Sequence, residues 1–422
     1  MNDAGVTEQT ALELTAAATE LLFRNGQTTV RTQTDAGRLA RALGFTADIH
    51  LLWGEIAVGV NDRERFLHAQ PVGVDMAKVV ATERVIDRVE RGEANPVEAA
   101  AALRAVGSMS TVSDTRFAVF AAAGAAALGV IFGAIHLFAL VVIALSAGIG
   151  AYLRRWLGRK SHNPLLQPFC AALLAGAIAA VSLRLRPDEP QRLAAVCPCM
   201  VLVPGPHILN GALDLARVNI PLGAARLGFA ALVILMICAG LLLGLSFGGI
   251  TLPLTGASVH IPLIFDVLAA GVAVAAFGTF FSMPVRMLLV PIVVGMLAHG
   301  IRWIALDYAG ASVEGAALLA CFVAGVLITP AADWLRMPFA AVAFAAVVSL
   351  MPGVYIFHMA EGLMLLIRQG TATSPAVLAA TAANGAEAFL ITVSMAFGLL
   401  LPKILLERLW PSLTGSDRAY RK

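Results

Sequence analysis

The sequence predicts a polytopic α-helical membrane protein: about ten transmembrane helices in two five-span inverted repeats, preceded by a small α+β cytoplasmic domain. Composition is the first observation behind this. The 422 residues are 59% hydrophobic and 14% charged, with a mean hydropathy of +0.82, too apolar for an ordinary soluble domain. Charge is the second. Residues 1–115 hold 11 Lys/Arg against 16 Asp/Glu, while the remainder holds 19 against 11, so an acidic soluble segment precedes a basic apolar one. The third is a broken-helix motif that recurs 148 residues apart, as Val203-Pro204-Gly205-Pro206-His207-Ile208-Leu209-Asn210 and Met351-Pro352-Gly353-Val354-Tyr355-Ile356-Phe357-His358.

In the acidic segment, apolar residues at helical spacing predict helices over 11–24 and 34–43. Short β-prone runs over 50–53, 56–60 and 66–71 predict strands. A helix over 75–91 is stopped by Gly92, and Pro96 opens another to about 106. His50 and His68 are expected at the surface or in packing. No P-loop, nucleophile elbow or metal-ligand spacing occurs here. The first 30 residues carry Asp3, Glu8, Glu13, Glu20 and Arg24 with no clean apolar core, so no signal peptide is expected. The acidic balance argues against a nucleic-acid partner.

Beyond this segment, apolar runs measured against a bilayer span predict helices over 117–132, 136–153, 165–183, 193–213 and 222–245. After an uncharged loop around 248–260 come 261–281, 285–303, 314–328, 338–367 and 377–401. The expected division is thus a cytoplasmic domain (1–115), one five-span repeat (116–247), a second (260–403) and a basic tail (404–422). Short matches support the repeat: Phe132-Gly133 with Phe277-Gly278, Arg154 with Arg302, and Gly240-Leu-Leu-Leu with Gly398-Leu-Leu-Leu. An odd number of spans per repeat inverts the second copy.

Positive charges orient the chain. With the soluble segment inside, Arg154, Arg155, Arg159, Lys160, Arg217, Arg286, Arg336, Lys403, Arg408, Arg418, Arg421 and Lys422 are cytoplasmic. Arg184, Arg186 and Arg192 oppose this, partly offset by Asp188 and Glu189. Both termini are therefore expected inside. Five cysteines, four of them in apolar runs, read as small buried residues, and Cys197-Pro198-Cys199 lacks the partners a metal site needs.

A Pro-Gly pair breaks helical hydrogen bonding, and within a bilayer a break persists only where it is buried or lines a polar cavity. Paired breaks in two halves point to a transport site. Pro204, Gly205, Pro352 and Gly353 are therefore candidate substrate-binding positions. So are the polar residues that follow: His207, Asn210 and Asp214 at i, i+3, i+7, then Tyr355, with Asn384 in the last span. Ionisable groups at membrane depth are costly, which makes His358, Glu361 and Glu387 the candidates for proton coupling. For Asp214 a second reading stays open, an interfacial pair with Arg217. His136, His299 and Glu314 are expected at span ends, and Asp266 near one. Free N–H groups at the starts of the two half-helices are expected to face a substrate carboxylate.

Pro71-Val-Gly-Val-Asp75-Met-Ala-Lys78 with the following Gly92, together with the paired Pro-Gly segments, resembles the threonine/serine exporter family in its fused two-module form. The likeness covers nearly the whole chain, with the second module starting near residue 261. It implies a proton-driven secondary exporter of small hydroxylated amino acids in the bacterial cytoplasmic membrane. The partners so implied are the amino acid, protons and the bilayer; no cofactor or metal is implied, and self-association stays open. Because split relatives are associated with dicarboxylates, a succinate-like substrate is the nearest alternative, with Arg226 available for a second carboxylate. A channel is compatible with the spans. A membrane hydrolase lacks a GxSxG or HExxH constellation.

Overall fold

The computed structural model describes residues 6–134, 136–161, 163–186, 189–254 and 261–410. Asp188 and the tail cations Arg418, Arg421 and Lys422, used above for orientation, lie outside the described residues.

The acidic segment forms four helices and a three-stranded sheet. Helix α1 (Glu8–Arg24) starts at Thr7, whose hydroxyl accepts the Thr10 N–H, and is followed by α2 (Thr29–Ala42). Strands β1 (Ala47–Leu52), β2 (Gly54–Val60) and β3 (Arg63–Ala69) form an antiparallel meander in the order 1-2-3. Ile56, Val58 and Val60 alternate inward and are fully buried, whereas Arg63, Glu64 and Arg65 of β3 are exposed. The strands are longer than apolarity predicts because pairing with β2 sets their ends, at Ala47↔Val60 and Val60↔Arg63. Helix α3 (Met76–Glu90) is capped by Asp75. Helix α4 (Pro96–Gly107) starts in a capping box of Asn95 and Glu98.

The apolar remainder is helical. The first half has α5 (Asp114–Ile131), α6 (Leu137–Lys160), α7 (Leu166–Leu185), α8 (Glu189–Met200), α9 (Gly205–Ala216) and α10 (Ile220–Ser246). The second has α11 (Leu263–Phe280), α12 (Leu289–Asp307), α13 (Val313–Trp334), α14 (Phe339–Val347), α15 (Gly353–Gln369) and α16 (Pro375–Leu409). Among the described residues eight helices are long and apolar enough to cross a membrane. The α8–α9 and α14–α15 pairs are bent by 52° and 69° at their Pro-Gly breaks, and they bring the number to ten if each is one span. Several helices overrun the expected spans: α6 continues through Arg154, Arg155 and Arg159 to Lys160, and α16 continues to Leu409. Apolarity ends where the bilayer does, but helical hydrogen bonding does not. Val141, Leu145, Ile149 and Tyr152 of α6, four or three residues apart, form an exposed apolar stripe suited to lipid.

The repeated Gly-Leu-Leu-Leu acquires a physical role. Gly240 and Gly244 of α10 lie so close to α7 that an added Cβ would run into the Phe169 and Leu173 carbonyls. Gly398 of α16 stands in the same relation to α13, with a Cβ 2.7 Å from the Leu318 carbonyl. Each tetrapeptide is thus a close-packed seam between the third and fifth spans of its half. Phe132-Gly133 and Phe277-Gly278 differ in their places at the helix ends. Gly133 takes φ 96° just after α5, and the residue that takes positive φ after α11 is Ser282, at 56°. Both turns close identically, Ala134 N–H onto Gly129 and Met283 N–H onto Gly278.

The soluble elements rest on both halves. Trp53, at the β1–β2 turn, packs 5.2 Å from Phe229 of α10, and Arg226 of α10 lies over Phe23 of α1. On the other half, Met76 N–H donates to the Phe281 carbonyl at 2.9 Å, and Arg31 reaches Asp333 at 3.3 Å. Arg336, between α13 and α14, lies 3.0 Å from Asp87 and 3.8 Å from Glu83.

Candidate functional site

The two helix breaks cross. Gly205, the first residue of α9, lies under the Phe344 ring of α14, where any Cβ would overlap the ring. Gly353, the first residue of α15, lies against Met200 at the end of α8, with a Cβ 2.7 Å from its Cγ. Each glycine therefore lets the partner half's broken span pass at backbone distance. A small cavity at the crossing is lined by Gly205, Ile208, Leu209, Phe344, Met351 and Met395. Its walls are apolar, and the Thr392 hydroxyl that borders it donates to the Ala388 carbonyl.

The candidates that follow the first break turn toward the soluble elements, away from that cavity. Asn210 Nδ2 donates to the Gly26 carbonyl at 3.2 Å. The His207 ring meets Phe229 edge-on at 5.0 Å and approaches the Val72 backbone. Asp214 does not pair with Arg217; it lies 3.0 Å from Arg226, and both are nearly fully buried. Arg217 instead holds Glu407 at 2.6 Å. Arg226, considered above for a second carboxylate, thus already faces one. Burial of such a pair is tolerated because each charge supplies the other's lost hydration.

After the second break, His358 and Glu361 are buried and Tyr355 is half-buried. Glu361 receives the Leu252 N–H, and its Oε1 has no hydrogen-bond partner. Asn384 Nδ2 donates to Leu254 and Ala380 carbonyls, each at 2.8 Å. Half-buried Glu387 lies within electrostatic reach of Tyr355, which also feels Arg302. Leu252 and Leu254, just after α10, thus touch polar groups of α15 and α16, as the N-terminal elements touch those of α9 and α10. Pro204 and Pro352 sit at the bends as helix-breakers, with φ −84° and −78°.

One expectation about backbone donors fails at α9. Gly205 N–H bonds the Val203 carbonyl, Pro206 has no N–H, and His207 N–H bonds Pro204, so this half-helix has little left to offer a carboxylate.

Two buried polar features were not anticipated. His299 is fully buried rather than interfacial, with Nδ1 2.8 Å from Asp266 and Nε2 unpaired. Its place was legible: Pro291, Val294, Gly295 and Ala298 mark the buried stripe of α12, which His299 continues. The other is Arg154, read above only as a topogenic charge. Its Nε and Nη1 are shielded from solvent and unpartnered.

The Pro71–Lys78 segment is where soluble and membrane elements join. Asp75 caps α3 by accepting the Lys78 N–H, Met76 N–H reaches Phe281, and the Met76 side chain is buried in the membrane core. Comparison with known proteins then decides the family. A family model whose description names a threonine/serine exporter matches residues 13–248, and a second, described as "Threonine/Serine exporter, ThrE", matches 266–405. The chain belongs to the threonine/serine exporter family. It is also 28% identical over 111 residues to a Klebsiella aerogenes protein named "Probable succinate transporter subunit YjjP", covering 26% of this chain. The chain spans 43% of that relative's length. No solved structure matches. Family membership and the apolar helices together make this a membrane-embedded member of that family.

Proposed function

We propose that the protein is a secondary active exporter of threonine and serine across the cytoplasmic membrane, working by proton antiport, with both termini inside. The crossing of two broken spans, one from each half, carries this reading. We read the halves as inverted five-span repeats, which the shared turn after α5 and α11 and the matched glycine seams support. Rocking one half against the other would move the crossing between the two faces.

Glu361 is the first candidate for proton coupling. A carboxyl buried one turn after His358, with one oxygen unpartnered, can exchange a proton when its surroundings open. Glu387 beside Tyr355 is the second. Tyr355 and Asn384 are proposed substrate contacts on the same face. His207, Asn210 and Asp214 contribute when the soluble elements withdraw from α9.

Dicarboxylate export is the second reading, favoured by the name of the Klebsiella aerogenes relative. Counterflow in proteoliposomes preloaded with threonine, serine or succinate separates the two. Saturable threonine or serine exchange supports the first and succinate exchange alone the second. Exchange with Glu361→Gln is expected to continue but to lose its response to an imposed pH gradient. A variant that keeps the gradient response removes Glu361 from that role.

A further inference from the structure

On α6, Ser146, Gly150 and Arg154 fall at four-residue steps and share one face. That face borders a small cavity between α5, α6, α7 and the first break, with Pro198, Val201 and Leu202 along its far wall. Ala121, Ala147, Ala151 and Ala171 keep its sides short. It has room for about one water, so a carboxylate would have to widen it.

The polar groups here are donors without acceptors. Ser146 is 1% exposed, and its Oγ has no hydrogen-bond partner. Arg154 Nε and Nη1 are shielded and unpaired, and the guanidinium lies 4.8 Å from the Phe280 ring centre and 6.0 Å from that of Phe117. Asp114, the acid at the start of α5, is held by Arg159 at 2.7 Å and Arg155 at 3.7 Å. Among the described residues Arg154 has no ion pair. A half-buried guanidinium with two shielded, unpaired nitrogens and no counter-charge is costly, and two aromatic faces offset only part of that cost. An anionic group removes it.

We propose that Arg154 and Ser146 form the site that takes the carboxylate of the transported substrate. This rests on the exporter reading and deepens it. Position supports it: the cavity touches the hinge of the α8–α9 span, so filling it couples directly to the element that must move. Chemistry supports it too. The α9 start has spent its N–H groups, and Arg is the side chain best matched to a carboxylate. The remainder of the substrate would extend along the broken span, past Leu202.

Two readouts test this with the full chain. In the first, thermal stability of the purified protein is followed against threonine, serine, succinate and sodium chloride. The wild type is expected to be stabilised by at least one of the carboxylates, and R154Q, if its gel-filtration profile is unchanged, to lose that shift. In the second, R154Q counterflow should show a half-saturation concentration raised roughly ten- to hundred-fold, with R154K in between. R154Q should also lose the preference for threonine over its amino alcohol, which lacks the carboxylate; a merely structural arginine would not change that preference. An unchanged half-saturation in R154Q overturns the assignment while leaving the exporter reading intact. A carboxylate shift abolished by R154Q without any counterflow does the reverse. Stabilisation by chloride alone, or by no carboxylate, also overturns it.

Discussion

At the residue scale, the account turns on two glycines with unequal neighbours. Gly205 lies under the flat ring of Phe344, which cannot bend aside, whereas Gly353 lies against Met200, a flexible thioether. Gly205→Ala is therefore expected to be the more damaging change, by roughly 1–3 kcal/mol of overpacking, and Gly353→Ala the milder. Folded yield and thermal midpoint of the two variants check this, and an equal loss would contradict the crossing as described. The sequence marked both glycines through their Pro-Gly context. What it left out was what each one touches, because Phe344 and Met200 come from the opposite half. Asp214, left open between a site role and a pair with Arg217, lies against Arg226 across the α9–α10 turn.

At the element scale, the soluble helices act on the membrane helices through a small set of charges. Glu83 is buried between Asp35 and the arginines Arg31, Arg38 and Arg336, and burial, reinforced by Asp35, raises its carboxyl well above the ordinary 4.5. A raised carboxyl destabilises the folded state as pH climbs past that ordinary value, and the cost is complete above the raised one. Glu83→Gln should thus be as stable as wild type near pH 4 and more stable at neutral pH. Thermal midpoints across this range test the sign; a variant less stable at neutral pH would show that the arginines outweigh burial. Arg336 is the clamp on the other side. Its replacement by Ala should weaken the junction by about 1.5–3 kcal/mol, the scale of hydrogen bonds to charged groups. Hydrogen exchange at the Met76 amide, which bonds Phe281, should quicken accordingly, and unchanged protection would rule the clamp out.

At the scale of the whole molecule, helix type and order were legible because bilayer length and hydropathy leave few alternatives, and the paired breaks were legible because Pro and Gly act locally. Internal equivalence was legible only in part. Gly240 and Gly398 both stand where close packing demands glycine, while the turn after α11 uses Ser282 where the one after α5 uses Gly133. Chemistry carried by shape was harder to read: Arg154 looked like a topogenic charge, and His299 was read as interfacial although the buried stripe of α12 marks its place. Arg154 packs against Phe280 of the other half, and His299 against Asp266 of the preceding helix. The molecule that results has two halves meeting at crossed breaks, with the N-terminal elements contacting both and Leu252 and Leu254 touching polar groups of the second half. Alternating access is the function this arrangement suits. The most direct test is threonine counterflow by the wild-type protein in proteoliposomes, with and without an imposed pH gradient. The account predicts saturable exchange that the gradient accelerates; non-saturating flux without counterflow would contradict it and point to a channel.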